Sequence, residues 1–347
     1  MQDQEHENYI FQSILKNSPG SESFSFEEYK EVSPAYFKDL KLQLLDKYEN
    51  KKLTDIEGSR VISTDYGDTL EIVQKEKINF ELVENNFKNQ MNHNLKLLPK
   101  IGIKTEQNLK KQGFTTIESL LNHDSHSQNA KIFLDNLDDM SFSQIMNLLN
   151  NNKYGKDCKD NLIKCASIPD AESFKFMDIE TLGLSNVPII LIGVAEIKGN
   201  YIVSSQYFLR DLDEELAVLN AYFSHLDEDS VHVTFNGKTF DVPFIRNRLN
   251  YHRVNTNFNL AHIDLMYYAK YLWSNDLPNC QLQTIEKYKF GIERKDDVPG
   301  QYIPGYYRTY LETGNIGPMI PIIEHNRQDI ISLADFLMKM YEEVNYE

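Results

Sequence analysis

Residues 174–184 read FKFMDIETLGL, with two acids inside an otherwise apolar strand pattern. Phe174, Phe176, Asp178 and Glu180 share one parity, so a strand points them to one face, with Lys175, Met177 and Ile179 on the other. That spacing sets the two carboxyls about 7 Å apart. Two carboxyls at this distance can grip one or two hard cations. Without a cation or a base they repel, and burying both is costly. Thr181, Leu182 and Gly183 then turn the chain out of the strand.

Working outward, PIILIGVAEI (188–197) and YIVSSQYFL (201–209) read as two further strands, and Gly199-Asn200 between them is a hairpin turn signal. The three strands form an antiparallel meander. VHVTF (231–235) is a fourth strand, broken by Asn236-Gly237, and Asp241 then precedes Val242-Pro243 and the apolar helix face of Phe244, Ile245 and Leu249. Asp241 reads as a helix N-cap, with proline in the first turn. It also reads as an acid at the carboxyl end of a strand, where clefts open. The last helix, EHNRQDIISLADFLMKMYEE (324–343), carries a core stripe of Ile330, Leu333, Ala334, Leu337 and Tyr341. His325 and Asp329 stand four apart on another face. A surface His–Asp pair would explain those two residues but neither the strand acids nor Asp241.

The chain has 347 residues, enough for more than one domain, and is 41% hydrophobic. Its formal net charge of −16 argues against holding nucleic acid by surface charge alone. Divalent cations between carboxylates and phosphates would remove that objection. No run of eighteen apolar residues marks a membrane span. The opening residues, MQDQEHENYIFQ, lack a signal-peptide pattern, and three cysteines (Cys158, Cys165 and Cys280) suit a reducing compartment, so a cytoplasmic location is expected. Three regions separate: 1–90, 91–170 and 171–347. The first contains a helical stretch, YFKDLKLQLLDKYENK (36–51), and a hairpin-like piece, SRVISTDYGDTLEIV (59–73).

In the second region, LLPKIGIKTEQNLKKQGFTTIESLLNH (97–123) resembles a helix-hairpin-helix. In that motif a glycine turn and a helix start present backbone N–H groups to a phosphate. Gly102, Lys104 and Lys110 are the contacts to expect, with Lys100 and Lys111 beside them; a plain packing hairpin is the alternative. Near the strand acids, Asn236 and Lys238 are candidates for touching a substrate backbone. Asp264 is a cap or support rather than a further ligand. Arg294 and Lys295 either pair internally with Asp296 and Asp297 or bind phosphate. Trp273 and Tyr302, Tyr306, Tyr307 and Tyr310 either stack on bases or pack in the core.

Asp-x-Glu on a first strand, Asp after a fourth, and His-x-x-x-Asp on a final helix form an ordered set. With HIDLMYYAKYLW (262–273), LQTIEKYKFGIERKDDVPGQYIPGYYRTYLETG (282–314) and EHNRQDIISLA (324–334), the region from about 173 to 345 resembles the DEDD exonucleases of the ribonuclease-H-like fold. Within them it resembles the YprB-type family of predicted exonucleases. The resemblance implies an α/β domain with a mixed five-stranded sheet flanked by helices. It implies a metal-dependent 3′–5′ exonuclease acting on DNA or RNA with two Mg²⁺ or Mn²⁺ ions. Asp178 would then bridge both ions, Glu180 and Asp329 would serve the ion carrying the attacking water, Asp241 the second, and His325 would be the base. The chain departs from the pattern at His325, which stands at the spacing where such enzymes carry tyrosine. An endonuclease with the same acids, or a non-catalytic nucleic-acid-binding or scaffold protein on this fold, are the alternatives.

Overall fold

The computed structural model describes residues 34–83, 86–151, 156–256 and 258–346. The polar opening segment and the Cys158 side chain lie outside what it describes. Two compact units divide the chain, Met1–Asp39 and Leu40–Glu347. Helices of nine residues or more are α1 (Pro34–Lys47), α2 (Ile103–Lys111), α3 (Ser127–Leu137), α4 (Phe142–Asn151), α5 (Lys156–Lys164), α6 (Glu215–Phe223), α7 (Asp241–Tyr251), α8 (Leu265–Trp273), α9 (Ile303–Thr313) and α10 (Ile320–Tyr346). The strands are β1 (Ser59–Thr64), β2 (Gly67–Lys77), β3 (Phe174–Thr181), β4 (Ile189–Lys198), β5 (Tyr201–Phe208), β6 (Val231–Thr234) and β7 (Ala261–Asp264).

All seven strands join one mixed sheet in the order β1-β2-β5-β4-β3-β6-β7. Strands β3, β4 and β5 form the expected antiparallel meander, and β6 and β7 add in parallel. The sheet therefore has seven strands rather than five. Five come from residues 174–264, and the hairpin of β1 and β2 extends the β5 side. The reason is an edge: β5 would otherwise present a row of unpaired N–H and C=O groups. Leu70–Lys77 of β2 pairs with Tyr201–Phe208 along that whole strand. Local alternation reveals a hairpin, but its distant partner leaves no local mark.

Helices flank the sheet. The expected stripe on α10 is fully buried, and the helix lies over β3, β4 and β5. A glycine permits this approach: a Cβ at Gly193 in β4 would sit 2.2 Å from Asn326 Oδ1 on α10. Elsewhere α6 packs on β4 and β2. Phe174 and Phe176 of β3 join the core that includes Ile330 and Leu333. The same parity aims Asp178 and Glu180 at α10.

Four of the five aromatic candidates settle as core, and Tyr302 is half-buried. Trp273 is wholly buried and donates its indole N–H to Glu343 at 2.6 Å, while Tyr306, Tyr307 and Tyr310 are buried. None of these four is placed to stack on a base; they fill the interior where burial of aromatic surface is most stabilising. In the middle region, Lys100 takes a left-handed φ of 67° just before Gly102 and α2. Lys96 and Lys110 both pair with the buried Glu106, at 3.2 and 3.1 Å. Lys104 is exposed.

Candidate active site

Three elements bring the predicted acids to one place. Asp178 and Glu180 come from β3, Asp241 from the first residue of α7, and Asp329 from α10. Phe240, not Asp241, occupies the cap position of α7, so the capping reading of Asp241 fails. Its Oδ1 instead accepts from the Ile179 backbone N–H at 3.2 Å, directly between the two strand acids.

The loop that delivers Asp241 is held by backbone constraints. Asn236 has a left-handed φ of 69°, and a Cβ at Gly237 would sit 2.5 Å from Thr234 Oγ1. Asp264 accepts from the backbone N–H groups of Asn236 at 2.8 Å and Lys238 at 3.0 Å. It also caps α8 by accepting from Met266 N–H at 3.2 Å. Asp264 is thus the cap and support that its position in HIDL suggested. Asn236 and Lys238 contribute backbone to this clamp, while the Asn236 side chain accepts from Thr239.

The electrostatics single out the cleft. Burial, then the charges of Asp329, Asp241 and Glu180, hold the Asp178 carboxyl well above the usual carboxylate range. Burial first, then Asp329, Asp241 and Asp297, push Glu180 up to about 8, against the opposing charge of His325. Burial raises Asp241 to about 7, although hydrogen bonds from backbone N–H groups pull the other way. Burial alone would lower His325, but Asp329, Asp297 and Glu180 outweigh it and raise it to about 9. His325 Nε2 faces Asp329 Oδ2 at 3.4 Å and Glu180 Oε1 at 3.8 Å.

Several supporting residues had no periodic signal in the sequence. Asn326 donates from Nδ2 to Asp178 Oδ2 at 2.9 Å and to the Asp178 carbonyl at 3.2 Å. Its own Oδ1 accepts from Gln206 Nε2 at 2.9 Å, which fixes the amide so that its donor end meets the acid. Arg294 grips the fully buried Glu286 with Nε and Nη2 at 2.7 and 2.8 Å, and the same Nη2 also lies against Asp329 Oδ1. That last contact is an ion pair without the alignment of a hydrogen bond. Ser332 also donates to Glu286, at 2.5 Å. Asp297 meets His325 Nδ1. Arg294 and Asp297 do form ion pairs, but with Glu286, Asp329 and His325 in the cleft rather than with each other as the sequence reading expected.

The donor set suits a hard divalent cation in kind: four carboxyls, enclosed and mutually repelling, with oxygen donors only. Its placement is less complete, since among the described residues no three or more His, Cys, Asp and Glu side chains stand ready to hold one ion together. Asp178, Asp241 and Asp329 each have one oxygen engaged by Asn326, Ile179 N–H or Arg294.

Comparison with known proteins agrees with this fold. Residues 175–341 match the family model described as the RNase_H superfamily. An uncharacterised protein, YprB of Bacillus subtilis, is 30% identical over 174 residues, which is 49% of this chain and 42% of that protein. The chain thus spans less than half the length of this curated relative. A family B DNA polymerase from the archaeon Pyrobaculum calidifontis aligns over 48% of this chain and 27% of its own, at 15% identity and a TM-score of 0.32, a likeness too weak to carry an argument. Over residues 175–341 the chain is similar to the ribonuclease H superfamily, and over about half its length it is similar to YprB. No helix among the described residues is long and apolar enough to cross a membrane.

Proposed function

We propose that this chain is a metal-dependent nuclease that hydrolyses phosphodiester bonds in DNA or RNA, cutting as a 3′–5′ exonuclease. The observation that carries the reading is the meeting of Asp178, Glu180, Asp241 and Asp329 from three separate elements, with raised carboxyl pKa values and the His325 ring among them. A fold has no packing reason to gather four repelling acids. Two divalent cations, Mg²⁺ or Mn²⁺, would be held by these acids and would supply charge stabilisation for an in-line displacement. The chain's own residues do the rest. Asn326 orients Asp178, the clamp on Asp264 delivers Asp241, and His325 takes a proton at Nε2 once the surrounding acids are neutralised. We assign the chemistry to residues 171–347 and substrate binding in part to residues 91–170. There Gly102, Lys104 and Lys110 are the proposed backbone contacts; Lys110 would exchange its pairing with Glu106 for a phosphate. Nearer the cleft, Asn236 and Lys238 complete the set.

Purified protein with Mn²⁺ or Mg²⁺ on 3′- and 5′-labelled single- and double-stranded DNA and RNA tests the reading. The expected result is metal-dependent shortening from the 3′ end. In single turnover, His325→Ala should slow cleavage by about 10²–10⁴-fold. Internal fragments without end-shortening would mark an endonuclease. Binding without any cleavage would favour a scaffold on the same fold.

A further inference from the structure

We infer that Thr234, backed by His262, is a positioning residue that sets where the turn after β6 delivers Asp241. The inference rests on the nuclease reading above for what Asp241 does there, but its geometry stands apart from that reading. Thr234 is the last residue of β6, is wholly buried, and pairs in parallel register with Asp264 of β7. Beyond it the chain turns through Asn236, Gly237 and Lys238, and three successive N–H groups are claimed by the two strand ends. Asp264 accepts from the outer two, and Thr234 Oγ1 accepts from the middle one, Gly237 N–H, at 3.2 Å.

From Gly237 the hold passes on to the acid. The Gly237 carbonyl accepts from Val242 N–H at 3.0 Å, so one residue joins the Thr234 hydroxyl to the neighbour of Asp241. Asp241 in turn reaches β3, where its Oδ1 accepts from Ile179 N–H. The turn lies directly on the threonine: a Cβ at Gly237 would meet Thr234 Cβ at 2.6 Å and Cγ2 at 2.8 Å. Behind the hydroxyl, His262 Nε2 lies 2.8 Å from Oγ1. A hydroxyl oxygen has two lone pairs, so it keeps one for Gly237 whether the ring donates to it or accepts from it. His262 and Asp264, two apart on one face of β7, therefore hold the same turn, the first through Thr234 and the second directly.

Thr234→Val keeps the shape of the side chain and leaves Gly237 N–H without its acceptor, while Thr234→Ser keeps the hydroxyl. Amide hydrogen exchange by NMR on the metal-free proteins reads the hold without any cleavage. Thr234→Val should speed exchange at Gly237, at Val242 and, on β3, at Ile179 by about tenfold, the worth of one hydrogen bond. Amides of β4 and β5 should exchange as in wild type, whereas a merely structural loss would speed them all. Single-turnover cleavage should fall by about 10–100-fold, as when a supporting group behind a metal ligand is removed, with KM unchanged because Thr234 touches no substrate. Thr234→Ser should stay close to wild type in both readouts. If Thr234→Val folds poorly, His262→Phe leaves the hydroxyl in place but unguided and should show the same pattern at smaller size. Unchanged exchange at Ile179 in whichever of these two variants folds would overturn the inference. So would Thr234→Ser as impaired as Thr234→Val, or faster exchange at Ile179 with cleavage at the wild-type rate. The expected exchange pattern in a protein whose wild type cleaves no nucleic acid would support the Thr234 role and overturn the nuclease reading instead.

Discussion

Glu215 and Glu180 are both buried glutamates beside the same sheet, and their surroundings differ in kind. Glu215 is 1% exposed and fully matched: Arg248 grips it with two donors at 2.7 and 2.5 Å, His252 lies at 2.7 Å, and the Ile189 N–H donates at 2.9 Å. Burial would raise its carboxyl, but these partners hold it below its ordinary range. Glu196 is treated likewise, with Lys175 at 2.6 Å, Lys198 at 2.9 Å and His225 at 2.9 Å. Around Glu180 stand three more acids, Asp329, Asp241 and Asp297, and burial drives its pKa up although the His325 ring at 3.8 Å opposes the rise. The same molecule thus shows what a structural buried acid requires and a cleft where that requirement is left to something from outside. Arg294 is shared between Glu286 and Asp329, so it offsets one cleft acid and none of the other three.

The largest effect expected from this contrast is on chemistry. Asp178→Asn removes the acid that Asn326 orients, and hydrolysis should drop to near background. Each factor of ten corresponds to about 1.36 kcal/mol, and loss of metal-based stabilisation is worth several such factors. Circular dichroism should show the fold intact. A folded Asp178→Asn protein with full activity would break the assignment.

Next in size is a stability loss on the structural side. Arg248→Met strands Glu215 in the interior, which should cost about 3–5 kcal/mol in urea unfolding. Adding Glu215→Leu should recover much of that loss, since an apolar pair leaves no buried charge. If Arg248→Met were neutral, the distinction between matched and unmatched acids would lose its meaning.

The smallest effect is on pH dependence. Glu180, Asp241 and His325 have folded-state pKa values of about 8, 7 and 9, all above their ordinary values of 4.5, 3.8 and 6.5. Groups raised by folding add stability below their unfolded pKa and lose it as pH rises through the folded one. The metal-free protein should therefore lose stability as pH rises from 3.8 to about 9, first through the two acids and last through His325. The slope is at most about 1.4 kcal/mol per pH unit for each proton released. Urea midpoints across that window give the slope, and Glu180→Gln should flatten it. A stability that rises with pH would mean that the cleft acids are matched after all.

Much of the site was legible in the sequence because strand parity and helix spacing are local. Asp178 and Glu180 share a face by alternation, and His325 and Asp329 share one by a four-residue step. Asp241 was legible only as one of two readings, since an acid before Val-Pro suits a cap equally well. What stayed hidden depends on contacts between distant segments. Asn326 sits beside His325, yet its role arises from Gln206 on β5 and Gly193 on β4. Arg294 and Asp297 lie in a loop whose path has no period. The two extra strands were visible as a hairpin, but their docking on β5 follows from an edge that only the assembled sheet creates.

The central claim is that the cleft acids are gathered for a divalent cation. Manganese binding followed by electron paramagnetic resonance, on metal-free wild type and Asp178→Asn side by side, tests it most directly. Wild type should bind Mn²⁺ with saturation, and the folded variant should bind it far more weakly. Equal binding by the two proteins, or none by the wild type, would contradict the account.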